Sequence, residues 1–226
     1  MASINDMAKL NSIHYLVDKH GTGKKGISKI NKKLDGTDYE LDKLKRGVAS
    51  FKNKTDGHHV ITVKGSDITN NKDLVSDIKL GLGFSKHDKQ FKHRTNVIKN
   101  IYKETEGHKY LTGHSLGASI VTSAMAKSQS IRDNTKKAVG FNTGYTKAFH
   151  DEISKDLNKD DKKELNQKVE HHHVLSDVIS TGLTKQRIGK LKKYDVDSIN
   201  PLKLHSLSSI IEKSPDEPIT VDFKDF

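Results

Sequence analysis

Apolar residues in this chain gather into a few short runs, around positions 60–63, 97–101, 116–125 and 174–183, and polar or charged residues fill the rest. The spacing within each run assigns its element. His58-His59-Val60-Ile61-Thr62-Val63-Lys64 reads as a strand. It pairs with Gly47-Val48-Ala49-Ser50-Phe51-Lys52 through the turn Lys54-Thr55-Asp56-Gly57, because Asp-Gly between two such runs is a hairpin signal. The whole of residues 39–64 is expected to be β-rich. Residues 96–105 predict a helix with Val97, Ile98, Ile101 and Tyr102 on its inner face. Residues 109–112 have strand character, and residues 118–126 place Ile120, Val121, Ala124 and Met125 at helical spacing. A further strand is expected at 136–141 and another at 169–175, with a short helix at 207–212.

The polar stretches are read by their punctuation. Residues 3–18 predict a helix with Ser3 as a possible cap and Asp6 three positions on, lying at the surface. Gly21-Thr22-Gly23-Lys24-Lys25-Gly26 follows a helix and lacks the spacing of a phosphate loop, so it reads as a flexible connection. Residues 70–80 read as loop passing into a short helix and residues 81–84 as a break. About a dozen polar residues then separate Phe84 from the next helix. The mixed charges of residues 147–168 predict a solvated helix or pair of helices. Strands and helices that alternate over 226 residues fit a single α/β domain spanning 1–226.

One junction carries chemistry. In Thr112-Gly113-His114-Ser115-Leu116-Gly117-Ala118 a strand ends, turns on a serine and restarts as a helix. So sharp a turn needs tiny neighbours two residues either side, and Gly113 and Gly117 provide them. The turn lifts Ser115 Oγ out of the sheet and aims the first helical N–H groups, Leu116 first, at the same spot. A nucleophile and an oxyanion donor side by side suit acyl transfer. The plainer reading is a glycine-rich turn with a helix-capping serine.

The same seven residues are similar to the T-G-H-S-L-G-G elbow of the class 3 (fungal-type) lipases, with Ala118 in place of the third glycine. The resemblance covers about residues 40–210, most firmly at the elbow. It implies an α/β-hydrolase fold: a mostly parallel central sheet, helices on both faces, the elbow strand in the middle. Lys64-Gly65-Ser66 resembles the family's Arg-Gly-Ser strand end, which makes Ser66 the second oxyanion residue; read alone, Ser66 is a loop cap. Residues 73–78 resemble a D-W-x-x-D segment with Leu74 for tryptophan. Phe141-Asn142 matches the strand end that follows the elbow helix. Any lid near residue 84 is implied to be short.

The triad follows from the order nucleophile, acid, base in this fold. Asp177 lies just past the strand at 169–175 and resembles the family's acid segment, which makes it the triad acid; read alone, it is a loop Asp that caps residues 179–180. One histidine follows it, His205, beside the helix at 207–212, where the family's base also lies. His171-His172-His173 is a further cluster. With His58 and His59 a metal site is conceivable, but no carboxylate stands at ligand spacing, so neither metal nor cofactor is expected.

Composition narrows the partners. There is no cysteine, which excludes thiol chemistry and a disulfide framework. The net charge of +11 comes almost wholly from lysine, with arginine only at Arg46, Arg94, Arg132 and Arg187. Base reading favours arginine forks, so nucleic acid is not the expected partner. A lipid or other ester substrate, met at an anionic membrane surface, fits better. No signal peptide or membrane-spanning run is evident, giving an expectation of a cytoplasmic or particle-packaged protein. The alternative function is an inactive α/β-hydrolase fold kept as a structural or membrane-associated component, for example of a virion.

Overall fold

The computed structural model describes residues 1–16, 23–65, 84–174, 187–195 and 206–212. Seven strands form one sheet in sequence order: β1 Tyr39–Lys45, β2 Val48–Asn53, β3 His59–Val63, β4 Lys109–His114, β5 Thr135–Phe141, β6 Val169–Val174 and β7 Lys190–Tyr194. The pairs β1–β2 and β2–β3 are antiparallel, the hairpin turning at Gly57 with φ +71°. From β3 to β7 every pair is parallel. The elbow strand β4 is the middle one of the seven.

Among the described residues the helices are α1 Ile4–His14, α2 Lys24–Leu34, α3 Phe84–Glu104, α4 Leu116–Lys127, α5 Gln129–Asn134, α6 Lys147–Ser154, α7 Lys159–Lys168 and α8 Leu207–Glu212. Parallel strands that advance in one direction through right-handed crossovers place all their connecting helices on one face. Accordingly α3 to α7 pack with Val48, Ile61, Val63, Leu111, Ala138 and Val169. The opposite face must be covered from the chain's two ends. There α1, α2 and α8 meet Ala49, Phe51, Val60, Tyr110, Val139, Phe141, Val174 and Tyr194. The alternation of Tyr110 and Leu111 between these clusters is the period-two pattern of a strand buried on both sides.

Three local expectations are corrected. The N-terminal helix is not a surface helix: the capping box of Ser3 and Asp6 starts it as expected, but Met7, Ala8, Leu10, Asn11 and His14 are buried, and it ends with Tyr15 as its C-cap. The glycine-rich connection is helical from Lys24, because Gly26, Ile30 and Leu34 recur every four residues and bury one narrow stripe. The dozen polar residues after Phe84 belong to α3, which starts there, ahead of the apolar stripe at Ile98 and Ile101 that anchors it. The basic run Lys190–Tyr194 forms β7, secured by buried Leu191 and Tyr194. The paired charged helices are as expected, held by buried Phe149, Ile153 and Leu165. Residues 70–80 and any lid before residue 84 lie outside the described residues. No described helix is long and apolar enough to cross a membrane.

Candidate active site

Ser115 is the hinge between β4 and α4, with φ 55° and ψ −126°. A side-chain-bearing residue in that region is strained, and such strain persists only where its surroundings over-determine it. The surroundings here are steric. A Cβ on Gly117 would stand 2.1 Å from Val63 O and 2.8 Å from Lys64 C; one on Gly113 would stand 2.5 Å from Gly117 C. The two glycines thus let strand, helix and the end of β3 approach within backbone contact. Ala118 takes the place of a third glycine without conflict, its Cβ facing Gly140 on β5. Ser115 N–H donates to Phe141 O at 2.9 Å, tying the hinge to β5. The serine makes no side-chain capping bond to α4, which removes the capping role that would otherwise explain it.

Leu116 is the first residue of α4, whose leading N–H groups have no carbonyl a turn earlier to accept them. The helix behind them is buried from Leu116 to Ala126, and its far end is held by Arg132, whose guanidinium donates to Met125 O and Ala126 O at 3.1 and 2.8 Å and pairs with Asp161 at 2.6 Å. The helix dipole is therefore fixed on the hinge.

The end of β3 runs beside the elbow. A Cβ on Gly65 would lie 2.7 Å from His114 O and 3.3 Å from Ser115 Cβ. Sequence reasoning missed what holds it there. Tyr15 Oη accepts from Gly65 N–H at 3.1 Å and hydrogen-bonds His114 Nδ1 at 3.0 Å. Lys64 Nζ sits 5.3 Å from the centroid of the Tyr15 ring, a cation–π contact. Arg94 donates to Lys64 O. A second strained residue, Asn142 with φ 43°, ends β5, where its Oδ1 accepts from Val174 N–H at 3.1 Å. Both non-glycine residues with positive φ among the described residues thus lie at the carboxyl ends of adjacent central strands, where ligands bind in open α/β sheets.

Two further α1 residues lead to this point. His14 Nδ1 bonds Thr62 Oγ1 at 2.8 Å, and Asn11 Nδ2–H donates to Thr112 Oγ1 at 2.8 Å. Burial, with the nearby charges of Lys64 and Arg94, pushes the His14 pKa down to about 3. A cavity of about 680 Å³ lined by Asp6, Tyr39, Asp56 and His58 opens at the start of β3, the end of the sheet away from Ser115.

Ser115 and Leu116 are adjacent at the hinge. Ser66, Asp177 and His205 lie outside the described residues; Gly65 beside Ser115, Val174 at the end of β6 and Ser206 before α8 are their nearest described neighbours in sequence. The histidine run has structural partners. His171 bonds Thr143 Oγ1 and Ile188 O, both at 2.9 Å, and burial pushes its pKa down to about 4. His172 bonds Tyr194 Oη at 2.6 Å and Glu170 at 3.3 Å, and His173 Nε2 accepts from Thr143 N–H at 3.3 Å. Among the described residues no three His, Asp or Glu side chains gather as a metal site.

No protein-family model matches the sequence, and no curated protein matches it. Solved structures do match the fold. M37 lipase superposes with a TM-score of 0.54 at 11% identity, over 80% of this chain and 70% of the lipase. A lipase from Rhizopus microsporus var. chinensis gives 0.50 at 11% identity, over 87% and 77%. The seven-stranded, mostly parallel sheet with its helices is the α/β-hydrolase fold of these lipases.

Proposed function

We propose that this chain is a serine ester hydrolase of lipase or phospholipase type that cleaves acyl-glycerol or phospholipid esters. Ser115 Oγ attacks the ester carbonyl carbon while His205 takes its proton. The tetrahedral oxyanion is held by the Leu116 N–H and Ser66. Collapse breaks the acyl C–O bond, and His205 returns the proton to the departing alcohol, leaving an acyl-enzyme that water hydrolyses by the same steps; Asp177 orients the imidazole throughout. One observation carries the reading: a serine strained at φ 55° on the central strand, at the foot of a buried helix, with no capping bond to account for it. The resemblance of the elbow to class 3 lipases and the fold shared with two lipases support the same chemistry. Tyr15 is read as a positioning residue, joining the segment that leads into Ser66 to the residue before the nucleophile.

The test is hydrolysis of short p-nitrophenyl esters. Ser115→Ala and His205→Ala are each expected to lower kcat by about a thousandfold or more with unchanged circular dichroism, and Asp177→Asn somewhat less. Full activity in Ser115→Ala removes the elbow from the mechanism. A folded wild-type chain inert to every ester tested favours the non-enzymatic alternative.

A further inference from the structure

The helices of this protein begin in two different ways. α1 and α7 open with capping boxes, Ser3 with Asp6 and Asn158 with Asp161, which put carboxylates at the positive end of the helix dipole. α2 opens on Gly23 with no side-chain cap and no acid in its first turn. Its eleven residues contain no Asp or Glu at all. Lys24, Lys25, Lys29, Lys32 and Lys33 are all exposed. Lys25 with Lys29 and Lys29 with Lys33 are like charges four apart, and Lys24 and Lys25 face the wrong end of the dipole, each a small destabilisation.

Elsewhere lysines find carboxylates: Lys45 with Glu104, Lys127 with Glu152, Lys137 with Glu170 and Lys168 with Glu164. None of the ion pairs among the described residues involves α2. A second observation is apolar. Apart from the terminal Met1, Ile27 is the exposed large hydrophobic among the described residues, at 37%, and it sits one turn from Lys24 on this same helix. The stripe Gly26, Ile30 and Leu34 is buried against the protein, so what α2 offers outward is lysine, with Ile27 beside its first turn; an anionic headgroup layer complements that charge and admits the one apolar side chain. A nucleic acid would neutralise the lysines and offer Ile27 nothing.

Orientation gives the helix a use. β1 runs parallel to β3, since both are antiparallel to β2, so Tyr39 lies at the end of the sheet away from Ser115. Only residues 35–38 join α2 to β1, against which it packs, so α2 runs back along β1 and its first turn stands at the Ser115 end. We propose that α2 docks this protein on anionic phospholipid bilayers, with Lys24 and Lys25 leading and Ile27 entering the headgroup boundary. As the route to substrate this rests on the hydrolase reading; as a binding surface it does not.

The experiment is sedimentation with vesicles of phosphatidylglycerol and phosphatidylcholine, against phosphatidylcholine alone, at low and high salt. Wild type is expected to bind the anionic vesicles at low salt and release them at high salt. Lys25→Gln/Lys29→Gln/Lys32→Gln is expected to weaken binding by on the order of tenfold or more. Ile27→Ser is expected to weaken it several-fold without altering the salt dependence. Lys103→Gln/Lys136→Gln/Lys163→Gln removes the same charge from other elements and is expected to leave binding nearly unchanged. Equal loss from both triple variants, equal binding to both vesicle types, or no vesicle binding alongside tight binding to duplex DNA each overturns the proposal. Ser115→Ala must bind as wild type does, so failure of vesicle binding leaves the hydrolase reading standing, and the reverse.

Discussion

Two helices press on opposite faces of β4, and they are fixed by different physics. α4 meets β4 through Gly113, Gly117 and Ala118, where hydrogens and one methyl are all that fit. α1 adds to the apolar packing of Met7, Ala8 and Leu10 the polar side chains of His14 and Asn11, which reach Thr62 and Thr112, and its C-cap Tyr15 reaches His114. Steric alignment admits no added atom and is indifferent to pH. Alignment by buried hydrogen bonds tolerates small changes of volume and depends on which groups carry protons. Ser115 stands where the two meet, its backbone angles set by α4 and its neighbours Gly65 and His114 held by Tyr15 beside the C-terminus of α1.

The largest effect is expected on the steric side. Gly117→Ala places a methyl 2.1 Å from Val63 O, backbone against backbone, so the end of β3 must move. A stability loss of about 3 kcal/mol in urea unfolding is expected, with ester hydrolysis lost in whatever fraction stays folded. A near-neutral outcome would mean that α4 is not seated by contact.

On the polar side the lever is pH. Unfolded, His14 takes up a proton near pH 6.5; folded, only near pH 3. The unfolded state binds more protons across that window, so stability is full above pH 6.5 and falls as pH drops, by on the order of 1.4 kcal/mol per pH unit. His171, held neutral to about pH 4 on β6, adds a similar slope between 6.5 and 4. Urea midpoints at pH 7.5, 6, 5 and 4.5 are expected to fall steeply, and His14→Gln to remove part of the slope, since burial lowers His172 as well. A flat profile would contradict burial of both rings as neutral imidazoles.

Smaller still is Tyr15→Phe, which keeps the ring under Lys64 and removes the hydroxyl from Gly65 and His114. A loss of about 1 kcal/mol in stability is expected. A fall of about tenfold to a hundredfold in kcat with little change in KM would mark a positioning role. Lost stability with unchanged kcat would reduce Tyr15 to packing.

The elbow was legible in the sequence because everything that makes it, two glycines flanking a serine between a strand and a helix, lies within seven residues. The β2–β3 hairpin was legible for the same reason, through Asp56 and Gly57. What the sequence hid was non-local or thinly encoded. Tyr15 meets Gly65 and His114 at separations of 50 and 99 residues, and no pattern links those positions. α2 shows the sheet only Gly26, Ile30 and Leu34 under a coat of lysine, and β7 is secured by two buried side chains among basic ones. The histidine run was not expected to hold a metal, but what does receive its side chains was not legible, since most of the partners are distant in sequence. On a strand the histidines alternate faces, and Thr143, Ile188, Tyr194 and Glu170 receive them. Ser66, Asp177 and His205 rest on chain order and resemblance.

The most direct measurement is mass spectrometry of the protein after treatment with a fluorophosphonate, which phosphonylates a serine only where a base and an oxyanion site activate it. The expected result is one adduct per chain, on the peptide that contains Ser115, absent from Ser115→Ala and much slowed in His205→Ala. No adduct on folded protein, or an adduct on another serine that persists in Ser115→Ala, would contradict the assignment of the elbow as the active site.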